Sequence, residues 1–273
     1  MKVIALSRRS FFAVLFICLL GLLGLLVMSY SLSITMLDEI PVTAKLNKPS
    51  VAIVIDDVSN GDNRGMQELL ENDIRVTYMP FFPNSKEKAK ELSDRGYQII
   101  VHMPMESYDG LKEWLGPKPI RVDFNEKEIM EDLTEAFTAI PTAQGMNNHM
   151  GSKVTDDVRV MSSVMNFLNK KQFFFLDSKT GMNKKASVIA KVYHVNYLKR
   201  DIFLDENNSL NAIKKQLALA INLAKRHGYA IAIGHVGNTG MNTSRAIIET
   251  LPEFHRNGVE LVSLNKIIRN TTH

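Results

Sequence analysis

Short apolar runs alternate with amphipathic stretches along most of this sequence. The apolar runs are uninterrupted rather than alternating, which is typical of strands buried on both faces of a parallel sheet. Seven or eight of them are predicted as strands, at 51–55, 74–79, 97–101, 143–146, 172–176, 195–199, 229–233 and 259–262. The pattern therefore indicates an α/β protein with a parallel sheet.

The stretches between the strands carry helix signals. Asn125 with Glu128 three residues later has capping-box spacing, and Ser209 begins a long apolar-periodic stretch that ends near His227. Strands that alternate with helices require helical crossovers between parallel strands, and this number of strands favours closure into a barrel. We find no internal linker or repeat. We therefore expect one barrel domain over residues 51–268, followed by a tail at 269–273.

The N-terminus differs from the rest of the chain. Three basic residues (Lys2, Arg8 and Arg9) precede residues 11–28, which carry no charge. A run of this length lies between a signal-peptide core and a membrane-spanning helix, so residues 1–30 are predicted as a signal peptide or signal anchor and 31–50 as a tether. The charge order places the body outside the cytoplasm, in the periplasm or at the cell surface, with membrane contact only through this segment.

Cysteine content and charge exclude several classes of function. The single Cys lies inside the N-terminal apolar run, so the body can contain neither a disulfide framework nor a Cys-based zinc site. Setting aside the three N-terminal basic residues from the total of 33 leaves 30 basic residues against 29 acidic ones. A nearly neutral body gives no electrostatic reason to expect a nucleic-acid partner.

Polar side chains collect just after the predicted strands. Each has an ordinary alternative role: a lone His is usually a satisfied structural residue, adjacent Asp residues can cap a helix, and an Arg-Asp pair can be a surface ion pair. The joint pattern favours a site, because the carboxyl ends of parallel barrel strands meet on one face. These residues are Asp56, Asp57, His102, Asn147, His149, Asp177, Arg200, Asp201 and His235.

Acids and histidines in this combination suit a divalent metal, with zinc as the expected ion. Zinc binds imidazole nitrogen and carboxylate oxygen, and a catalytic zinc site keeps one position for a water whose pKa it lowers. The sequence supplies Asp57, His102 and His149 as ligands. Asp56 is then a candidate general base and His235 a candidate general acid.

Several of these segments are similar to motifs of a known family. Ile55-Asp56-Asp57 resembles the paired-Asp motif of the NodB-like carbohydrate esterases, and the whole set resembles their divergent polysaccharide deacetylase branch. The resemblance covers about 51–268 and implies a distorted (β/α) barrel, a metal on the second Asp, a base in the first Asp and a polysaccharide substrate. The other supporting segments are 102–106, 147–152, 175–178, 199–201 and 231–235.

One departure from the family pattern concerns the metal ligands. Ordinary members carry two histidines four residues apart, whereas here His102 is followed at that spacing by Glu106. We favour His149 as the third ligand, because imidazole is the commoner zinc ligand, and keep Glu106 as the alternative. The remaining polar residues are expected to contact substrate or to orient the site: Asn147, Asn148, Asp177, Arg200 and Asp201.

These observations predict an exported, metal-dependent hydrolase that deacetylates a cell-envelope or extracellular polysaccharide. The alternative is an envelope glycan-binding protein that keeps the fold and turns nothing over. Tyr108 and Trp114 lie between the third and fourth predicted strands, above the expected site. They are candidates either for stacking on sugar rings or for holding their own loop against the barrel.

Overall fold

Strands and helices alternate along the whole described chain, as the apolar pattern predicts. The computed structural model describes residues 48–58, 64–72, 77–80, 86–109, 112–181, 185–237 and 240–271, which belong to one compact unit spanning Thr43–His273. The predicted signal peptide or anchor and nearly all of the tether lie outside the described residues. In the part that is described, no helix combines the length and apolar character needed to cross a membrane.

The strands are short, between two and nine residues long. In chain order they are β1 (Ser50–Val58), β2 (Thr77–Pro80), β3 (Gln98–Ile99), β4 (Val101–Met105), β5 (Gly145–Met150), β6 (Phe174–Asp177), β7 (Tyr197–Lys199), β8 (Ile202–Phe203), β9 (Tyr229–His235) and β10 (Glu260–Leu261).

Parallel pairing closes these strands into a ring. β1 pairs with β2 on one edge and with β9 on the other, β2 pairs with β3, β4 with β5, β5 with β6, β6 with β7, and β8 with β9. β3 and β4 are one extended segment interrupted at Ile100, and β7 and β8 are one segment interrupted at Arg200-Asp201. When each interrupted segment is counted as one strand, the ring in the described residues consists of seven parallel strands. The two interruptions split the ladders into two sheets and account for the distortion, so the predicted distorted barrel is confirmed.

Helices surround this ring. They are α1 (Met66–Glu71), α2 (Lys86–Asp94), α3 (Glu126–Ala139), α4 (Val158–Lys171), α5 (Lys185–Val192), α6 (Leu210–His227), α7 (Gly240–Arg256) and α8 (Leu264–Thr271), with a short 3-10 helix at Lys112–Leu115.

Local sequence explains where several helices begin. Asn125 and Glu128 form the expected capping box of α3, in which each side chain accepts from the other's backbone N–H. Ser209 caps α6 through a bond from Ala212, as predicted. Asp157 caps α4, because its side chain accepts from the backbone N–H of Val160.

The barrel has an inner and an outer apolar layer. Side chains on alternate positions of the strands face either the surrounding helices or the barrel interior. The larger cluster, which includes Ile53 and Ile55, packs between strands and helices. The smaller cluster fills the interior with Ala52, Val54, Ile100, Phe174, Leu176, Leu198, Ile231 and Ile233.

Helix α8 closes the amino-terminal end of the barrel. Its Leu264 and Ile267 are fully buried and join the interior cluster together with Val262. β10, just before it, pairs with the first residues of β1. The predicted tail at 269–273 overlaps this helix, which continues to Thr271. The closed end leaves the opposite, carboxyl end of the strands as the open face.

Candidate metal centre at the carboxyl end of the barrel

Near the open end, the inward-facing side chains change from apolar to polar. On β1, Ala52 and Val54 are followed on the same face by Asp56, and on β9 the inward Ile231 and Ile233 are followed by His235. Asp56 and His235 are also direct partners in the parallel ladder. The same alternation places His102 above Ile100, Arg200 above Leu198, and Asn147 and His149 on β5.

Two of these side chains, His102 and His149, converge with that of Asp57 on one point. The Nε2 atom of His102 lies 3.0 Å from Nδ1 of His149 and 3.4 Å from Oδ1 of Asp57. Nδ1 of His149 lies 3.7 Å from the same oxygen. One ligand atom from each of the three residues therefore lies within 4.8 Å of the other two.

Hydrogen bonds on the far side of each ring set the tautomers. Nδ1 of His102 donates to Oδ1 of Asn147 at 2.5 Å, and Nε2 of His149 donates to the backbone carbonyl of Trp114 at 2.8 Å. Each ring is thereby fixed with its other nitrogen facing the cluster. Orientation by an acceptor behind the ring is the usual arrangement of histidines that bind metals.

The environment of Asp57 is a second reason that these residues fit a divalent cation, besides the orientation of the two imidazole rings. Oδ1 of Asp57 is buried and has no hydrogen-bond partner in the described residues, although an unpaired buried carboxylate oxygen is costly. Asp57 also has a left-handed backbone, with φ of 61°, which is uncommon outside Gly but tolerated by Asp. Successive residues of a strand normally face opposite sides, and Asp56 already faces inward. The left-handed conformation allows its neighbour Asp57 to turn towards the cluster as well. Two imidazole nitrogens and one carboxylate oxygen are a suitable set of ligands for zinc.

Charges within the cluster shift its pKa values. Burial disfavours the imidazolium of His102, but the carboxylates of Asp56 and Asp57 outweigh burial and raise its pKa. Burial and the charge of His102 lower the pKa of His149 to about 4. Burial would raise the pKa of Asp57, yet the nearby His102 lowers it well below its ordinary range. Asp57 is therefore ionised and His149 neutral at pH 7, the states in which they bind metal.

Asp56 lies beside the cluster, and its environment differs from that of Asp57. Its side chain is buried, its Oδ1 has no hydrogen-bond partner in the described residues, and Oδ2 lies 3.7 Å from Nε2 of His102. Burial raises its pKa to about 6, against the opposing charges of His102 and His235. A carboxylate with a pKa near neutrality is suited to accept and return a proton.

His235 is held by an acid that the sequence reasoning missed. Nδ1 of His235 donates to Oδ1 of Asp205 at 2.9 Å, while Oδ2 of Asp205 accepts from the backbone N–H of His235 and from Thr243. Burial alone would lower the pKa of His235, but the bond to Asp205 raises it to about 9. Asp205 follows the short strand β8. The strand-end rule that selected the other residues would have found it had that strand been recognised.

The segment from Asn147 to Ser152 contains the candidate metal ligand His149 together with residues that hold the surrounding loops. Asn148 bridges loops rather than facing the site, because it donates to the Met150 carbonyl and to Thr180 and accepts from the Ser178 backbone. Gly151 has φ of 86°, and a Cβ there would lie 2.8 Å from Cβ of Met105. Only Gly fits the turn that ends β5 just after His149.

Glu106 lies outside the cluster, which contradicts its role as the alternative ligand. Its Oε2 accepts from the backbone N–H of Val122 at 2.9 Å, and its Oε1 accepts from Lys153 at 2.7 Å. Both oxygens thus hold the loop that follows β4. Among the described residues the three-residue cluster contains His149 instead.

Three other predicted site residues have mainly structural contacts. Asp177 is buried and accepts from the Tyr197 hydroxyl and from the backbone N–H of Lys179. Asp201 accepts from the backbone N–H of Ile231, at the interruption between β7 and β8. Arg200 stays at the rim, where Nε donates to the Ser178 carbonyl and its guanidinium lies 4.8 Å from the ring centre of Phe203.

This chain is similar in sequence and in fold to several known proteins. The family model for divergent polysaccharide deacetylases matches residues 53–268. A protein of Haemophilus influenzae described as uncharacterized is 33% identical over 221 residues, covering 81% of this chain and 77% of that protein. The crystal structure of an uncharacterized protein of Agrobacterium tumefaciens superposes with a TM-score of 0.72 at 20% identity, covering 81% of this chain and 89% of the other.

A more distant match carries a functional title. A peptidoglycan N-acetylglucosamine deacetylase superposes with a TM-score of 0.50 at 14% identity, covering 81% of this chain and 88% of the other. At this identity the likeness concerns the fold alone.

Proposed function

This chain belongs to the divergent polysaccharide deacetylase family, and from that premise we propose that it is a metal-dependent hydrolase that removes acetyl groups from a glycan. The observation that carries the proposal is the convergence of Asp57, His102 and His149, whose potential metal-binding atoms lie within 4.8 Å of one another. The family implies a carbohydrate substrate.

Asp57, His102 and His149 would hold the metal, with Asn147 and the Trp114 carbonyl fixing the two rings. When bound, a divalent cation supplies an activated water and polarises the acyl carbonyl. No protein group of this chain needs to be a covalent nucleophile. The remaining work for the protein is proton transfer and orientation.

Asp56 and His235 divide the proton transfers between them. Asp56 is buried, lies beside the metal ligands and has a pKa of about 6, so it can take the proton of the attacking water. His235 stands on the neighbouring strand, directly across the ladder, and with a pKa of about 9 it is protonated at pH 7. It is placed to give a proton to the departing amine or hydroxyl.

We further propose that the barrel acts outside the cytoplasmic membrane on an envelope or extracellular polysaccharide. Support comes from the basic residues and the uncharged run at 11–28. A fusion of the chain to a reporter that is active only after export tests this location. Reporter activity that remains wholly cytoplasmic would contradict it.

Acetate release from acetylated glycans tests the reaction. We expect release by the metal-reconstituted protein, loss of release with a chelator, and a fall in kcat of about 10²–10⁴-fold in Asp56→Asn, the usual contribution of a general base. Glu206→Gln, an exposed acid next to Asp205, is the matched control and should keep full activity. Metal binding with no acetate from any glycan would instead support the non-catalytic binding protein, and release that survives both chelator and Asp56→Asn would exclude this mechanism.

A further inference from the structure

Charge is distributed unevenly around the barrel, although the body as a whole is nearly neutral. Helices α4, α5 and α6 contain nine Lys or Arg residues and no Asp or Glu. Helices α1 and α3 contain seven acidic residues and one Lys. The overall charge therefore conceals a set of basic helices and a set of acidic ones.

The three basic helices cover neighbouring strands. α4 joins β5 to β6, α5 joins β6 to β7, and α6 joins β8 to β9, and these strands are adjacent in the ring. Because the strands are parallel, each connecting helix must run back and end where the next strand begins, at the closed end of the barrel. Five exposed basic residues in the last turns form what we call the basic rim: Lys170, Lys171, Lys191, Lys225 and Arg226.

The helix dipole alone does not account for this composition. The dipole favours basic residues in the last turn of a helix and acidic residues in the first turn. Helices α1 and α3 do carry acids in their first turns. The first turns of α4, α5 and α6 carry none, although Asp157 caps α4 from the preceding position. The lack of acids is therefore a property of this side of the barrel and not of helix ends.

Exposed apolar side chains lie on the same helices. Val188 and Val192 are one turn apart on α5 and are 54% and 68% exposed, and Leu219 on α6 is 50% exposed. Single exposed apolar residues are common, but their combination with Lys and Arg on helices without acids is typical of surfaces that lie on anionic membranes. A soluble polyanion would satisfy the charges and leave the apolar side chains in water.

The chain enters the barrel beside the basic rim. The backbone N–H of Ser50 donates to the carbonyl of Gly228 at 3.0 Å, and Gly228 is the C-cap of α6. Residues 29–47 separate this point from the uncharged run at 11–28, and they span at most about 65 Å when fully extended. The chain is therefore long enough for the rim to reach a membrane that contains this run.

We propose that the basic rim, together with Val188, Val192 and Leu219, binds the surface of an anionic phospholipid bilayer. The closed end of the barrel then faces the membrane, and the open end with the candidate metal centre faces away from it. Lys and Arg are attracted to the anionic head groups, and the apolar side chains enter the head-group boundary. This adds a second membrane contact to the one predicted through the N-terminal segment. The inference goes beyond the proposed function, because it concerns binding and orientation and not hydrolysis.

Quenching by nitroxide-labelled lipid tests this orientation. The full-length chain with Cys18→Ser and Asn196→Cys carries a fluorescent label on the exposed residue before β7. It is reconstituted in nanodiscs of phosphatidylcholine alone, or of equal parts of phosphatidylcholine and phosphatidylglycerol. We expect the label to be quenched in the anionic discs and not in the neutral ones, with loss of quenching at high salt. Trp114, the single Trp of the chain, lies at the open end and should stay unquenched.

Two results would overturn the proposal at this stage. Equal quenching of the label in neutral and anionic discs would show that the tether alone holds the barrel near the lipid. Quenching of Trp114 without quenching of the label would show that the open end faces the membrane.

Variants with matched charge separate the basic rim from the overall charge. The rim variant removes four positive charges: Lys170→Gln, Lys171→Gln, Lys225→Gln and Arg226→Gln. The control variant removes the same number from α2 and α3: Lys86→Gln, Lys88→Gln, Lys90→Gln and Lys127→Gln. Each basic residue near an anionic surface changes partitioning by about 5-fold, so the rim variant should lose almost all quenching and the control should keep it. Equal quenching in the folded rim variant and the parent would contradict the proposal.

The apolar side chains distinguish a bilayer from a soluble polyanion. Val188→Ser combined with Val192→Ser keeps every charge, and its quenching should be lost at a lower salt concentration than that of the parent. Loss at the same salt concentration would show that only charge is recognised and would overturn the bilayer as the specific partner. These measurements use neither metal nor substrate, so failure of this proposal leaves the hydrolase untouched, and absence of acetate release leaves the membrane contact untouched.

Discussion

The two ends of the barrel interior are built on the same strands and differ in chemistry. Towards the closed end, inward positions such as Ala52, Phe174 and Ile231 are apolar, fully or almost fully buried, and in one cluster with residues of α8. Further along two of these strands, Asp56 and His235 occupy the inward positions. The apolar interior towards the closed end contributes stability. The open end can therefore hold buried charges that would destabilise an isolated site.

The largest expected effect comes from the closed end. Ile231→Ala removes a fully buried side chain from the interior, which should cost about 2–5 kcal/mol of the free energy of unfolding. Metal affinity per folded molecule should stay unchanged, because Ile231 is not one of the three ligands and lies four residues before His235 on the same strand. Chemical denaturation measures the first quantity and calorimetry with zinc the second. Loss of metal affinity in the folded variant would show that the two halves are coupled.

A smaller effect is expected at the open end. Asn147→Ala removes the acceptor that holds Nδ1 of His102, so metal affinity should fall about 10- to 100-fold while the three ligands remain. Zinc titration against a competing chelator measures the change. Asn148→Ser is the comparison variant, since the side chain of Asn148 is hydrogen-bonded to Met150, Thr180 and Ser178, none of which is a ligand. An effect on metal affinity that is larger in Asn148→Ser than in Asn147→Ala would contradict the assignment.

The smallest effect is a shift of pH dependence. Because the folded pKa of His235 is raised to about 9, the protonated acid is present at neutral pH and is lost as pH rises through that value. Activity should therefore decline above about pH 9 in the parent. Asp205→Asn removes the charge that raises this pKa, and the decline should move to lower pH. A decline at the same pH in both proteins would show that His235 does not set it.

Much of the fold follows from sequence, because parallel strands and amphipathic helices have distinct periods. The strands at 51–55 and 229–233 and the helix after Ser209 were predicted close to their observed bounds. Helix α8 was missed because the sequence was interpreted as ending in a strand and tail. Its apolar residues close the barrel, a tertiary role that no local pattern specifies.

The site was less predictable than the fold. Asp56, Asp57 and His235 follow strongly apolar runs, so the strand-end rule found them. β5 contains Asn147, Asn148 and His149 within the strand, although such polar residues normally mark a strand's end. Asp205 escaped notice because the chain between β7 and β8 is interrupted at Arg200-Asp201, and the strand appeared to stop there. The choice between Glu106 and His149 depended on loop geometry, which spacing alone could not supply.

Metal content tests the central claim most directly. The purified full-length protein is reconstituted with zinc, and bound metal is measured by elemental analysis in the parent, in His149→Ala and in Glu106→Gln, with circular dichroism to establish folding. We predict about one zinc per chain in the parent and in Glu106→Gln, and loss of zinc in folded His149→Ala. Zinc retained in His149→Ala but lost in Glu106→Gln, or no zinc in the folded parent, would contradict the account.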